Sequence, residues 1–445
     1  MFKTLRTAWG IPEIRKKILF TLFIIVIFRL GSVIVVPFLD TNAVAQWMDA
    51  NAKNTGNFLE YLNILSGGAL AKASMFSLGV TPYINASIII QLLTYALPPL
   101  ERLQQEGEDG RKKLNTITSV VALGLSIFMS VAYYLTLKNM DGVNAVKYTE
   151  GGQGWFAMFV IIGSFMAGSS LVIWLGNRIN EKGIGNGVSI ILFAGIVARI
   201  PVDVGTLFGL VKDNPNEYFL KVVIYLLIFV AMVVGIVFMN EAERRIPVQY
   251  AKRVVGRKQY GGQSTHIPIK VCMSGVMPII FAMSFMSLPS MLTMFWKPVQ
   301  AITEDTTGWQ KFYFYFTNFF KTRSYGYAAL YFILIILFNY FYVAIQYNPV
   351  EMANNLRQSN GGIPGIRPGK PTSDYIQRVL SKIGLVGAVF LGIVAVFPII
   401  FLNLTKLDVS SMGGTSILIV VSVAIETVRT LESQLMMRHH KGFLG

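Results

Sequence analysis

The sequence has little of the chemistry on which enzymes and metalloproteins depend. Its 445 residues include one cysteine and three histidines, and only 14% of them are charged. The single cysteine, Cys272, excludes an intramolecular disulfide. His266, His439 and His440 lie in basic segments, where a solvated side chain is expected rather than a metal ligand. We therefore expect no metal, no cofactor and no catalytic residues.

A nucleotide-binding loop is also missing. Gly369 and Lys370 resemble the end of a phosphate loop, but Pro364 replaces the upstream glycine and Pro371 the hydroxyl residue. A phosphate loop needs free backbone amides and a Ser or Thr for magnesium. The glycines in residues 183–187 follow no predicted strand, so they form no dinucleotide fingerprint. Any energy that this protein uses must come from another molecule.

Long apolar runs are what the chain has in abundance. Hydrophobic residues make up 53% of it, and a helix needs about 20 apolar residues to cross a bilayer. Ten runs predict ten transmembrane helices, at residues 18–36, 74–97, 114–137, 153–176, 185–200, 218–239, 269–294, 325–347, 376–402 and 413–428. The expected fold class is an all-α membrane protein.

The basic residues predict its orientation. The chain has 39 Lys and Arg against 23 Asp and Glu. Most of the basic residues fall in the N-terminus, the even-numbered loops and the C-terminal tail. Because cytosolic loops carry an excess of Lys and Arg, both termini are predicted to be cytosolic. The first run is too long for a secretory signal core and lacks a small-residue cleavage site, so we expect it to be retained.

Ten spans divide into two halves of five, residues 1–200 and 201–445. Because five is odd, a second half built like the first would be inverted in the membrane, as in many transporters. The residues show no convincing repeat between the halves. The inverted arrangement is therefore an architectural hypothesis.

Two long cytosolic loops, at residues 240–268 and 348–375, are basic and exceed ordinary helix connections. Val and Tyr alternate in the first loop, which is typical of a short hairpin. Proline and glycine flank Arg367 in the second loop. The positive charge admits three interpretations: topology, attraction to anionic lipid, and docking of a large acidic partner, including RNA. The length and rigidity of the loops favour docking.

The segment at residues 62–72 is amphipathic, but it is too short and too rich in glycine to span a membrane. Gly79 and Pro82 are expected to interrupt the start of the helix that follows. Non-helical backbone at membrane depth is tolerated only against protein or a water-filled cavity. The segment therefore forms either a re-entrant stopper or an outer interfacial cap, and the pattern leaves both open.

An ordered series of motifs resembles the SecY family, the channel subunits of bacterial protein translocases. The series opens with SGGAL at residues 66–70 and PYINASIIIQLLT at 82–94. It continues with EGEDGRK at 106–112, GIGNGVSI at 183–190, RRIPVQYAKR at 244–253, IPIKV at 267–271, PGIRPG at 364–369 and GGTS at 413–416. The matches run in order along nearly the whole chain, which makes the set specific.

The resemblance implies an hourglass pore between the two halves, which carries unfolded polypeptide and also opens sideways to release spans into lipid. By resemblance, the aliphatic waist of the pore comprises Val80, Ile84, Leu192, Ile280 and Ile419, with Ile88 adjoining. The re-entrant plug helix, at residues 62–72, includes Leu62, Ile64, Leu65, Gly67, Gly68, Leu70 and Lys72. The lateral gate includes Asn85, Ser87 and Gln91, and it places Cys272 in the seventh helix, where relatives commonly have Asn.

The resemblance also implies partners and a location. Arg367 is expected to dock cytosolic partners together with Arg244, Arg245, Arg253, Arg257 and Lys258. The partners would be small membrane subunits of the SecE and SecG types, a SecA-type motor ATPase, the ribosome with its rRNA, unfolded preproteins with their signal peptides, and membrane lipid. The location would be the bacterial plasma membrane.

A secondary transporter of ions or small solutes is the alternative function. Such a protein usually has several charged or strongly polar residues near the membrane midplane. The spans offer Arg29 and little else. A charge at that depth is costly, so we expect Arg29 to face a partner or water rather than lipid. The composition of the spans favours the channel.

Overall fold

The computed structural model describes residues 2–52, 58–140, 145–250, 253–255, 258–260, 264–295, 308–320, 324–405 and 414–441. Its helices are α1 Phe2–Gly10, α2 Pro12–Gly31, α3 Thr41–Ala52, α4 Phe58–Leu65, α5 Thr81–Ala96, α6 Pro98–Gln105, α7 Glu108–Lys138, α8 Gly151–Lys182, α9 Gly187–Val197, α10 Ile200–Asp213, α11 Pro215–Glu241, α12 Met277–Phe295, α13 Gly308–Phe319, α14 Tyr325–Gln346, α15 Pro349–Gln358, α16 Lys370–Thr405 and α17 Gly414–Lys441. Its strands are β1 Glu243–Tyr250, β2 Arg253–Val255, β3 Lys258–Tyr260, β4 Ser264–Lys270 and β5 Gly361–Gly362.

Each of the ten predicted spans falls on a helix. Within the described ranges, six helical stretches are long and apolar enough to cross a membrane, and a bent pair adds a seventh. The six stretches lie at α7, α8, α9 with α10, α11, α14 with α15, and α16. The remaining predicted spans lie on α2, α5, α12 and α17. The predicted class, a largely helical membrane protein, is confirmed.

Two predicted spans have different ends in the structure. The first run extends to residue 36, but α2 ends at Gly31, and Val35 instead pairs with Ser74 in an isolated β-bridge. The seventh run begins at residue 269, where the chain still belongs to β4, and α12 starts only at Met277. Residues 271–276 between β4 and α12 form bends and turns, and Val271, Cys272 and Met273 make them as apolar as a spanning helix. A run of apolar residues therefore does not mark where the helix begins.

The second span is interrupted at both ends. Gly79 has a positive φ of 53°, and the residues before α5 form turns. Pro82 lies in the first turn of α5, where its missing N–H costs nothing. Beyond Leu97, the chain bends by 105° into α6. The predicted break before this helix is confirmed.

The two long loops, which are predicted to be cytosolic, share one sheet with strand order β4–β1–β5. β1 and β4 are antiparallel, with Ile246 opposite Ile267, which confirms the predicted hairpin. On the other edge of β1, Tyr250 pairs with Gly361 of the second loop. Ile246 and Val248 are buried under the sheet, while Arg245 and Pro247, at the alternate positions, are exposed. The sheet therefore holds the two loops together as one platform.

Candidate pore, plug and lateral gate

The structure brings all six predicted waist residues into one buried cluster, here called the waist cluster. None of them is more than 8% exposed. Four helical elements contribute: Val80, Ile84 and Ile88 come from α5 and its N-cap, Leu192 from α9, Ile280 from α12, and Ile419 from α17. The carbonyl of Val80 accepts the amide of Ile84 at 3.1 Å, so the three residues of α5 lie on successive turns. The six waist side chains are aliphatic and carry no polar atoms, whereas the cluster as a whole is larger and also includes Tyr331 and Cys272.

The predicted plug helix is shorter than expected, because α4 ends at Leu65 rather than at residue 72. The amide of Gly67 donates to the carbonyl of Ile64 at 3.1 Å, and the amide of Gly68 donates to Asn63 at 2.8 Å. Gly67 has a positive φ of 68°. These two bonds and the left-handed residue form a Schellman motif, which ends a helix. Residues 66–73 consequently fold as turns.

The plug segment is packed among the helices. α4 contacts α9 and α12, and Leu65 belongs to the waist cluster. Leu62 and Leu70 are buried in an adjoining cluster. Tyr133 of α7 donates a hydrogen bond to the carbonyl of Leu70 at 2.9 Å. Ile64, Gly67 and Gly68 are partly buried, and Lys72 is exposed. This burial favours a re-entrant stopper over an interfacial cap.

Arg29 is partly buried, and one nitrogen of its guanidinium group faces the plug segment. A methyl group added to Gly67 would lie 2.7 Å from Nη1 of Arg29. This nitrogen is buried and has no hydrogen-bond partner among the described residues. The first span therefore presents a cation to the turn that ends α4.

Three of the predicted gate residues, Asn85, Ser87 and Gln91, lie on α5. α5 packs against α7, while α12 packs against both α7 and α14. On α5, Gln91 Nε2 donates to Ser87 Oγ at 3.3 Å. Asn85 Oδ1 is buried, and within the described part of the chain it accepts no hydrogen bond. Cys272 is buried in the waist cluster, but it lies in the turn before α12, so its predicted place in the seventh helix is wrong.

The structure contains a polar contact near Cys272 that the sequence did not predict. Ser274 Oγ donates to Asn339 Oδ1, and Asn339 Nδ2 donates to the carbonyl of Gly384 at 3.0 Å. Asn339 is only 2% exposed. The three residues join the turn before α12 to α14 and α16. The sequence feature that could have indicated this contact is Asn339, an amide residue inside the eighth apolar run.

The predicted docking arginines Arg244, Arg245 and Arg367 are all exposed. Arg245 Nε lies 2.7 Å from Glu243 Oε1. The carbonyl of Arg367 accepts the hydroxyl of Thr372 at 2.9 Å, which fixes the backbone at this tip. Arg253 and Lys258 lie in β2 and β3, but their side chains are outside the described set, and Arg257 falls outside the described residues altogether. Among the residues that the structure describes, no group of three or more His, Cys, Asp or Glu could hold a metal ion.

Sequence comparison finds close relatives along the whole chain. The family model of SecY matches residues 74–428. The protein translocase subunit SecY of Mycobacterium bovis is 39% identical over 439 residues, covering 97% of each chain. The match therefore extends through both predicted halves.

Solved structures share the fold at low sequence identity, and each match covers 96% of both chains. The structure of a protein-conducting channel has a TM-score of 0.62 at 17% identity. A SecY structure, described for a plug domain that stabilises the closed channel, has a TM-score of 0.61 at 16% identity. Sec61 in the canine ribosome–channel complex of the endoplasmic reticulum has a TM-score of 0.58 at 15% identity. With a family match over most of its length and full-length relatives at 39% identity, the chain belongs to the SecY family.

Proposed function

We propose that this chain is the central protein-conducting channel of a Sec translocase. It would pass unfolded preproteins across the membrane and release transmembrane segments sideways into lipid. The observation that carries the proposal is the burial of all six waist side chains in one large core cluster, which also includes Leu65 of the plug. Aliphatic side chains make no fixed hydrogen bonds with a passing chain, and a dry constriction resists ions and water.

The plug would close the outer funnel until a substrate arrives. Its burial against α9 and α12, and the hydrogen bond from Tyr133, support a seated position. The sideways exit would lie between α5 and α7 on one side and α12 and α14 on the other. The contact of α12 with α7 supports a closed exit in this structure. Residues 1–200 and 201–445 would be the two inverted halves that part.

Energy would come from cytosolic partners, because the sequence contains no nucleotide-binding loop. A SecA-type motor ATPase or a translating ribosome would dock on the platform that carries Arg244, Arg245 and Arg367. The exposure of these arginines supports such a surface, as does the existence of a related ribosome–channel complex. Small subunits of the SecE and SecG types would complete the translocase. The chain itself would be a channel subunit and not an enzyme.

The bacterial relatives support a location in the plasma membrane, and the charge bias supports cytosolic termini. The secondary transporter is not favoured by the comparisons. A transporter would need several polar residues near the membrane midplane. Arg29, the charged residue of the first span, contacts the plug segment instead.

Reconstitution tests the proposed function. The purified complex, with its small subunits, would be placed in sealed vesicles with a SecA-type motor, ATP and a radiolabelled preprotein. The expected result is preprotein protected from external protease, and matched vesicles without the complex or without ATP serve as controls. A complex that moves a small solute down an ion gradient but protects no preprotein would support the transporter instead.

A further inference from the structure

The guanidinium of Arg29 lies against the end of the plug helix. Methyl groups built at Gly67 and Gly195 show how tight this region is. The one at Gly67 would lie 2.7 Å from Arg29 Nη1 and 2.8 Å from the carbonyl oxygen of Gly195. The one at Gly195 would lie 2.6 Å from the carbonyl oxygen of Leu65. The turn after α4 is therefore wedged between Arg29 of α2 and the backbone of α9.

The end of α4 that meets Arg29 is its carbonyl end. The last carbonyls of a helix carry a negative partial charge, and a cation beside them is favourable. The Schellman bonds satisfy the carbonyls of Asn63 and Ile64, whereas the carbonyl of Leu65 is pressed against Gly195. A cation placed there complements the dipole of the plug helix.

The contact also stabilises Arg29. Nη1 is buried and makes no hydrogen bond to any described residue. Arg29 is partly buried, and taking part of a charged group out of water without a hydrogen-bond partner has a cost, which the dipole of the plug helix partly offsets. The two groups thus stabilise each other only while the plug is seated.

We infer that Arg29 is the closed-state latch of the plug, an inference that rests on the proposed channel function. Its charge holds the carbonyl end of α4 against α9, and the contact is lost when the plug moves away. Arg presents five donors in a planar fork, while Lys presents a point charge on a flexible stem. Lys at this position therefore retains the attraction but grips the turn less firmly.

The ion conductance of the channel without substrate reports how often the plug leaves its seated position. The complete translocase would be reconstituted in planar bilayers, and Arg29→Met would be compared with the parent and with Lys17→Met. Lys17 lies in the same helix but contacts Gln434, far from the plug. We expect Arg29→Met to raise the fraction of time spent conducting by about five- to thirtyfold, Arg29→Lys to be intermediate, and Lys17→Met to match the parent. Unchanged conductance of Arg29→Met would overturn the inference.

A second background shows whether Arg29 acts through the plug. In a channel that lacks residues 62–72, Arg29→Met is expected to add nothing to the leak. If it raises the leak as much as in the full chain, Arg29 supports the fold rather than the plug, and the inference is wrong. Preprotein translocation by the parent is measured in parallel, so that a failed channel function is distinguished from a failed latch.

Thiol labelling gives a readout that does not depend on conductance or on the deletion. Cys272→Ser removes the single natural cysteine, and Leu70→Cys places a thiol at a position that is 0% exposed in the seated plug. A membrane-impermeant maleimide added from the outer side would label this thiol only when the plug leaves. We expect Arg29→Met to raise the labelling rate by the same factor as the conductance. An unchanged rate would contradict the latch.

Discussion

Tyr95, at the C-terminal end of α5, packs edge to face against Phe341 of α14, with ring centroids 6.0 Å apart. Under the proposed function, this contact crosses the line along which the two halves would part. Edge-to-face pairs contribute about 0.5–1.5 kcal/mol beyond the area that they bury. Tyr95 is 45% exposed, which favours the lower part of that range. Under that proposal, the pair stabilises the closed gate at the C-terminal end of α5.

Tyr95→Ala is expected to make the gate open more readily, because the closed state alone contains the ring contact. Membrane insertion of test segments with graded hydrophobicity measures this effect. The midpoint should shift toward less hydrophobic segments by about 0.5–1 kcal/mol. Phe341→Ala should give a similar shift, and the double variant should add little to either. Phe238→Ala, on the 71% exposed face of α11, is the control; an equal shift there would refute the role of the pair.

The contact between Ser274 and Asn339 predicts a measurable coupling. Asn339→Leu should lower the free energy of unfolding by about 1–3 kcal/mol, because it leaves the hydroxyl of Ser274 and the carbonyl of Gly384 unpaired. Adding Ser274→Ala removes one of those orphaned groups, so the double variant should lose less than the sum of the single variants. Thermal unfolding of the purified complex measures all three. Strict additivity would show that the two side chains are not coupled.

Local pattern was sufficient to place a helix in each of the ten predicted spans and to predict a hairpin in the first long loop. Each apolar run predicts a spanning helix because the hydrocarbon layer demands both length and internal hydrogen bonding. The alternation in the first long loop predicts a short hairpin for a similar local reason, and β1 pairs with β4 there. The interruption before α5 follows from Gly79 and Pro82.

The remaining features depend on contacts between residues far apart in the chain. Nothing local to Gly361 indicates that it pairs with Tyr250 in another loop. The start of α12 is not marked locally, because the turn at residues 271–276 is as apolar as the helix that follows. The amphipathic pattern of residues 62–72 predicts one helix, whereas Gly67 and Gly68 form the C-terminal cap of α4. The convergence of the waist residues came from family resemblance, since aliphatic residues in an apolar helix have no local mark.

Removing side chains from the waist is expected to make the closed channel leak small ions. Ile84→Gly combined with Ile280→Gly removes two buried side chains from the waist cluster, so the closed channel should pass small ions. Conductance in planar bilayers measures this. The matched control is Val120→Gly with Ile333→Gly, two helical positions that are 67% and 57% exposed and carry the same cost of glycine in a helix. Equal conductance in the two double variants would argue against the waist.

Arg367→Glu predicts a loss of motor-driven secretion. The exposed fork of Arg367 can pair bidentately with a carboxylate or phosphate, and reversing its charge replaces attraction with repulsion. Translocation into vesicles should fall by more than about tenfold, while Arg367→Lys should be intermediate. Arg357→Glu, also exposed and in the same loop, is the control. Normal motor binding and translocation by Arg367→Glu would make membrane topology the better account of this charge.

Cross-linking to a chain in transit tests the central claim most directly. In a Cys272→Ser background, single cysteines would replace Val80, Ile84, Ile280 or Ile419, and a preprotein carrying one cysteine would be stalled during translocation. The account predicts disulfide formation between the stalled chain and each waist position. Cysteine at Val120, which is 67% exposed on α7, should form none. Cross-links at Val120 but not at the waist would contradict a path through this cluster.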